Sequence, residues 1–87
     1  MTVDQGKSSR TVVQGLIHDM HKFSDFVQAE IITMIRQTDQ LAESWNDPQY
    51  EQFSEFIYNL SESIAKDLRV FDEATNALQK KLDMYNQ

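Results

Sequence analysis

The sequence predicts an all-α protein, an antiparallel two-helix hairpin that dimerises into a four-helix bundle. Three observations lead there. Only two Gly and one Pro occur among 87 residues, and turn-forming residues cluster at just two places, 4–9 and 44–48, whereas β-rich and α/β folds need many more turns. Apolar residues recur every seven positions on both sides of the second break, which is a helical period. Finally, a two-helix hairpin of this length encloses no core of its own, so further apolar surface has to be buried against something else.

Residues 1–8 read as a flexible N-terminal tail. A first helix is expected over 9–44, where Val13, Met20, Val27, Met34 and Leu41 form a seven-residue row and Leu16, Ile17, Phe23, Ile31 and Trp45 fill the adjacent one. A turn at 45–47 follows. Asp47 can cap the free N–H groups of the next helix while Pro48 sits at the first helical position, where its missing N–H costs nothing. In an alternative register Asn46 is the cap and Trp45 staples against Tyr50. The second helix is expected over 48–85, and the hairpin as a whole over 9–87. Its row is Tyr50, Ile57, Ile64, Phe71, Leu78 and Tyr85, flanked by Phe53, Leu60, Leu68 and Leu82. The flanking rows drift between the third and fourth position after each heptad residue, as straight bundle helices require. A turn this short makes the helices antiparallel neighbours. The two rows then pair with a constant index sum, Leu41 with Tyr50, Met34 with Ile57, Val27 with Ile64, Met20 with Phe71 and Val13 with Leu78.

Apolar residues also lie outside this seam: Val12, Phe26, Ile32 and Ile35 on the first helix, Phe56, Val70, Ala77 and Met84 on the second. Such surface marks a partner face. The expected interface residues are Phe26, Ile35, Phe56, Val70 and Met84, in a homodimer or in a heterodimer with a related helical hairpin.

Composition narrows the function classes. The formal charge of −6, with acidic residues spread along the chain, disfavours nucleic acid and anionic membranes as partners. With no Cys there is no disulfide framework and no thiolate nucleophile. The most apolar run, residues 31–35, is far shorter than a membrane span, so no membrane insertion is expected. The polar first ten residues lack a signal core, and a cytoplasmic location follows. His18, His21 and Asp25 share a helical spacing that could hold a metal, but no Glu-x-x-His pair accompanies them, and solvated histidines are expected. Glu30 and Asp67 border the apolar rows, where Lys22 and Lys66 are available as ion-pair partners. No catalytic, cofactor or metal residues are assigned, and an enzyme is not expected.

Trp45 is the single Trp, placed where its large ring could clamp the two helices together. If buried there, its truncation to Ala would cost about 3–5 kcal/mol. The stretch from Leu41 through Trp45, Asn46 and Asp47, followed by Phe53, resembles the WXG family of small helical hairpins linked to type VII secretion, with Trp-x-Asp in place of Trp-x-Gly and Leu four residues before the Trp. The resemblance in layout covers nearly the whole chain. It implies a non-enzymatic secretion substrate or adaptor, working by protein–protein contact with secretion machinery, and export without a cleaved signal peptide. It also makes Trp45, Asn46 and Asp47 the recognition point, near a partner's C-terminal tail. The family's Tyr-x-x-x-Asp/Glu signal is missing after the second helix, since Tyr85 is followed by Asn86 and Gln87, while Tyr58 and Glu62 match it only inside the helix. Export would then rely on a partner that carries the signal. The other reading is a non-secreted module that pairs with, escorts or neutralises a larger helical protein such as a toxin.

Overall fold

The computed structural model describes residues 5–45 and 47–85, with side chains from residue 9 onward. Two helices account for it, α1 (Gln5–Leu41) and α2 (Pro48–Tyr85), and among the described residues there is no strand. They pack side by side as a hairpin 65 Å long and 18 × 17 Å across. The early residues of α1 and the late residues of α2 meet at the open end, where Val13, Leu78 and Leu82 line one cavity. Thr38 and Tyr50 meet at the turn.

The first helix is shifted towards the N-terminus relative to 9–44. Residues 5–8 are helical although Gly6 and Ser8 favour turns, because one Gly in a helix costs only about 1 kcal/mol. Residues 1–4 and the 86–87 end lie outside the described residues. At the other end α1 stops at Leu41, and residues 42–44 form a tightened turn. The last four carbonyls of α1 are all engaged there, as a helix end requires. Those of Asp39, Gln40 and Leu41 accept the N–H groups of Ala42, Glu43 and Ser44 at 3.1–3.2 Å. Leu41 also accepts the Trp45 N–H at 2.8 Å, and the Thr38 carbonyl accepts the Tyr50 hydroxyl at 2.8 Å across the hairpin.

Asp47 caps α2. Its Oδ1 accepts the Tyr50 N–H at 2.9 Å, and its carbonyl accepts the Glu51 N–H at 3.2 Å. The alternative cap, Asn46, lies outside the described residues.

The packed seam differs from the expected one in one row of each helix. The row from Val13 to Leu41 and the row of Tyr50, Ile57, Ile64, Phe71 and Leu78 are buried or half-buried, but Tyr85, expected at the end of the second row, is 75% exposed past the last packed turn. The second row is Ile17, Ser24, Ile31 and Thr38 on α1 and Ser54, Ser61, Leu68, Thr75 and Leu82 on α2, each residue buried except half-buried Ser54. Leu16, Phe23, Phe53 and Leu60, expected in the seam, are 39–53% exposed. The closed seam therefore alternates strictly by four and three from Val13 to Leu41 and from Tyr50 to Leu82, without the drift that the apolar residues alone imply. In this register Ile17 falls opposite Thr75, Leu68 opposite Ser24, and Ile31 opposite Ser61, each pairing a large residue with a small one. Thr38 and Thr75 satisfy their hydroxyls on the carbonyls of Met34 and Phe71 at 2.8 and 3.0 Å, and Ser24 accepts from Gln28 at 3.0 Å. Ser61 Oγ is buried with no partner.

Candidate interaction face and the Trp45 turn

Helical handedness assigns the exposed residues to faces. In two antiparallel right-handed helices, the positions just before seam residues fall on one broad face of the hairpin, and those just after fall on the other. Two contacts confirm the second set. Tyr58, after Ile57, donates its hydroxyl to the carboxylate of Asp39, after Thr38. Gln28 and Ile32 of α1 line a shared groove with Ala65, Arg69 and Asp72 of α2.

The opposite face is apolar. Val12, Leu16, Phe23 and Phe26 from α1 and Phe53, Phe56, Leu60 and Val70 from α2 all precede seam residues, Met84 continues the seven-residue row of Phe56 and Val70, and all are exposed. Most of the large exposed hydrophobic residues among the described ones thus share one face, running from Phe53 near the turn to Met84 near the open end. Among the described residues of this face, Phe23 alone gains a ring neighbour, Phe71, at 5.5 Å. The exposed area of the whole chain is 7071 Å², against about 5,300 Å² for a compact chain of this mass. The excess exceeds the roughly 800 Å² per partner of a standard interface.

Four of the five interface residues expected from the sequence, Phe26, Phe56, Val70 and Met84, lie together on this face. Ile35 does not. It follows Met34, so it belongs to the other face, and it is half-buried there; Ile32 is on that side too. A count of apolar residues cannot separate the two faces, because the side is set by the seam phase and the seam contains hydroxyl residues. For the same reason Leu16, Phe23, Phe53 and Leu60 do not stand out in the sequence as face residues. The signal available was their constant position one residue before a strict four-three seam.

At the turn, Trp45 is 39% exposed and does not fill a core. Its indole Nε1–H donates to Asp47 Oδ2 at 2.5 Å, and its ring meets that of Tyr50 edge-on at 6.3 Å. One carboxylate thus holds the Trp ring and caps α2 at once. Glycine at position 47 could do neither through a side chain. Asn46, the third expected recognition residue, lies outside the described residues.

The remaining candidates are dispersed. His18 and His21 are exposed, and among the described residues no group of three or more His, Cys, Asp or Glu is placed to hold a metal ion. Glu30 and Asp67 are exposed, midway along the apolar face, and among the described residues they form no ion pair. Lys22 lies two helical turns from Glu30, and Lys66 points about 100° away from Asp67 around the helix. The Asp39 carboxylate, through its hydrogen bond and its charge, raises the Tyr58 hydroxyl above its ordinary pKa. Among the described residues no helix is long and apolar enough to cross a membrane. No family model matches the chain, and neither do curated proteins or solved structures.

Proposed function

We propose that this chain is a non-enzymatic, WXG-like helical hairpin that pairs through its apolar face with a second helical hairpin. In this reading it serves as a type VII secretion-associated substrate or adaptor, and the Trp45–Asp47 turn is the point read by the machinery. The observation that carries the pairing is the alignment of exposed apolar rows from both helices on one face, together with the excess exposed area. The resemblance around Trp45 carries the link to secretion.

The test is export. The tagged chain should reach the medium of the source cells, fall to background when the type VII machinery is removed, and be retained on Phe56→Asp, which places a charge in the pairing face. Retention of the unmodified chain in cells with active machinery, alongside export of a known substrate, would refute the secretion role.

One observation favours a second reading. The indole N–H is already held by Asp47, so the ring has no free donor to offer a receptor, and the turn acts as a local clasp. The chain would then be a non-secreted escort for a larger helical protein such as a toxin. Co-purification with such a protein from cells lacking the secretion machinery would support it.

A further inference from the structure

The seam runs into a cation at the open end of the rod. Continued one step past its last packed residues, the four-three row reaches Arg10, three before Val13, and Tyr85, three after Leu82. A guanidinium is not closed into a packed seam without a charged partner, because its desolvation is too costly, and both side chains stay exposed. The helices stop short of closing there and leave a cavity of about 380 Å³. Half-buried Val13 and Leu78 and buried Leu82 form its apolar floor, while exposed Arg10 and Lys81 stand at its rim, and no carboxylate enters the lining. Among the described residues neither cation has an ion-pair or hydrogen-bond partner. Asp83, the carboxylate next to Leu82, accepts from Gln79 Nε2 at 2.9 Å instead.

The charge of the rest of the rod points the same way. Six carboxylates, Asp39, Glu43, Asp47, Glu51, Glu55 and Glu62, lie between residues 37 and 65 with no Lys or Arg among them. They account for the whole formal charge of −6, since the other eight acidic and eight basic residues cancel. Glu62, sixteen residues from Leu78, is about 24 Å from it along the helix, some three Debye lengths at physiological salt. An anion is thus repelled from the turn half of the rod, and that repulsion is screened out at the open end.

We infer that the open-end cavity binds an amphipathic carboxylate, a free fatty acid of medium chain length, with its acyl chain on Val13, Leu78 and Leu82 and its carboxylate between Arg10 and Lys81. An apolar floor offers nothing to a small inorganic anion, and two unpaired cations at the rim offer nothing to a neutral hydrocarbon. The guanidinium fork suits a carboxylate in particular. From Leu78 to Tyr85 the cavity spans about 10 Å of helix, and its volume lies at the small end of ligand sites; both suit one medium acyl chain and exclude a two-tailed lipid. The site is formed within one hairpin and does not rest on the pairing proposed above.

The test is a titration of the chain with decanoate below its micelle concentration, followed by NMR of the methyl groups. Saturable shifts should centre on Val13, Leu78 and Leu82. Octanoate, two methylenes shorter, should bind about tenfold more weakly, and neutral decanol should lose a similar factor. Arg10→Gln/Lys81→Gln should raise the decanoate dissociation constant about tenfold without changing that of decanol, with helical circular dichroism confirming that the fold is kept. Lys80→Gln, an exposed cation outside the lining, should leave decanoate binding as it is. Shifts spread over Phe23, Phe26, Phe56 and Val70 would place the acyl chain on the broad apolar face and overturn the site. An equal loss in Lys80→Gln would replace it with a diffuse positive field, and no saturable shift at millimolar decanoate would remove it.

Discussion

Replacing Asp47 by Ala removes two interactions made by one side chain, and the structure allows the loss to be worked out. The Oδ1 bond to the Tyr50 N–H is an N-cap, whose removal costs about 1 kcal/mol. The Oδ2 bond to the Trp45 indole is charge-assisted but partly solvated, which places it at about 0.5–1 kcal/mol. Asp47→Ala should therefore destabilise the hairpin by about 1.5–2 kcal/mol, or on the order of 10 °C in Tm for a domain of this size. Asp47→Gly keeps most of the capping, since Gly at this position costs only a few tenths of a kcal/mol, and should lose about half as much. A double-mutant cycle with Trp45→Phe isolates the indole bond, with an expected coupling of about 0.5–1 kcal/mol. The assay is thermal and urea unfolding followed by helical circular dichroism, at fixed chain concentration because association shifts Tm by mass action. A Tm for Asp47→Ala within 2 °C of the parent, or a cycle coupling near zero, would refute the dual role of the carboxylate.

Three further outcomes follow from the seam and its hydrogen bonds. Ser61→Ala removes the buried hydroxyl that has no partner and should stabilise the hairpin by about 1 kcal/mol in the same melts; a destabilised variant would show that the hydroxyl is satisfied. Tyr50→Phe leaves the Thr38 carbonyl without its 2.8 Å donor and should cost about 1–2 kcal/mol, with a Tm equal to the parent counting against that bond. Tyr58 holds its proton above the ordinary tyrosine value because of Asp39. Since its folded pKa is raised, the stabilising contribution is complete below about pH 10 and is lost as pH rises through the folded value. Ultraviolet titration of tyrosinate should show Tyr58 ionising late and returning towards the ordinary range in Asp39→Asn, and no change in that variant would remove the bond.

The hairpin itself was legible because turn residues are so scarce and because Asp47-Pro48 is a strong helix start. The rows through Val13 and Tyr50 were legible because they are apolar. The second seam row was hidden by chemistry. Ser24, Thr38, Ser61 and Thr75 are buried, yet a hydropathy pattern scores them as solvent-facing. The small size of Ser24, Ser61 and Thr75, opposite Leu68, Ile31 and Ile17, lets the helices close without large residues on both sides. Hydropathy alone therefore draws Phe23 and Leu60 into the seam and puts Ile35 on the same face as Phe26. The Trp45 environment was half legible. Spacing placed the ring at the turn, but no pattern reveals that one carboxylate would serve both the indole and the helix cap.

The slenderness of the rod sets a rule for passage through confined spaces. At 18 × 17 Å across, a single hairpin enters end-on any conduit slightly wider than itself without unfolding. Two hairpins laid side by side need about double that width in one direction, so the bore of a channel sorts single chains from pairs. A bore of about 25 Å would pass this chain, two helices of about 10–12 Å diameter side by side, only after its apolar face had been uncovered. A bore of about 40 Å would carry the pair intact, and the face would never meet water on the way.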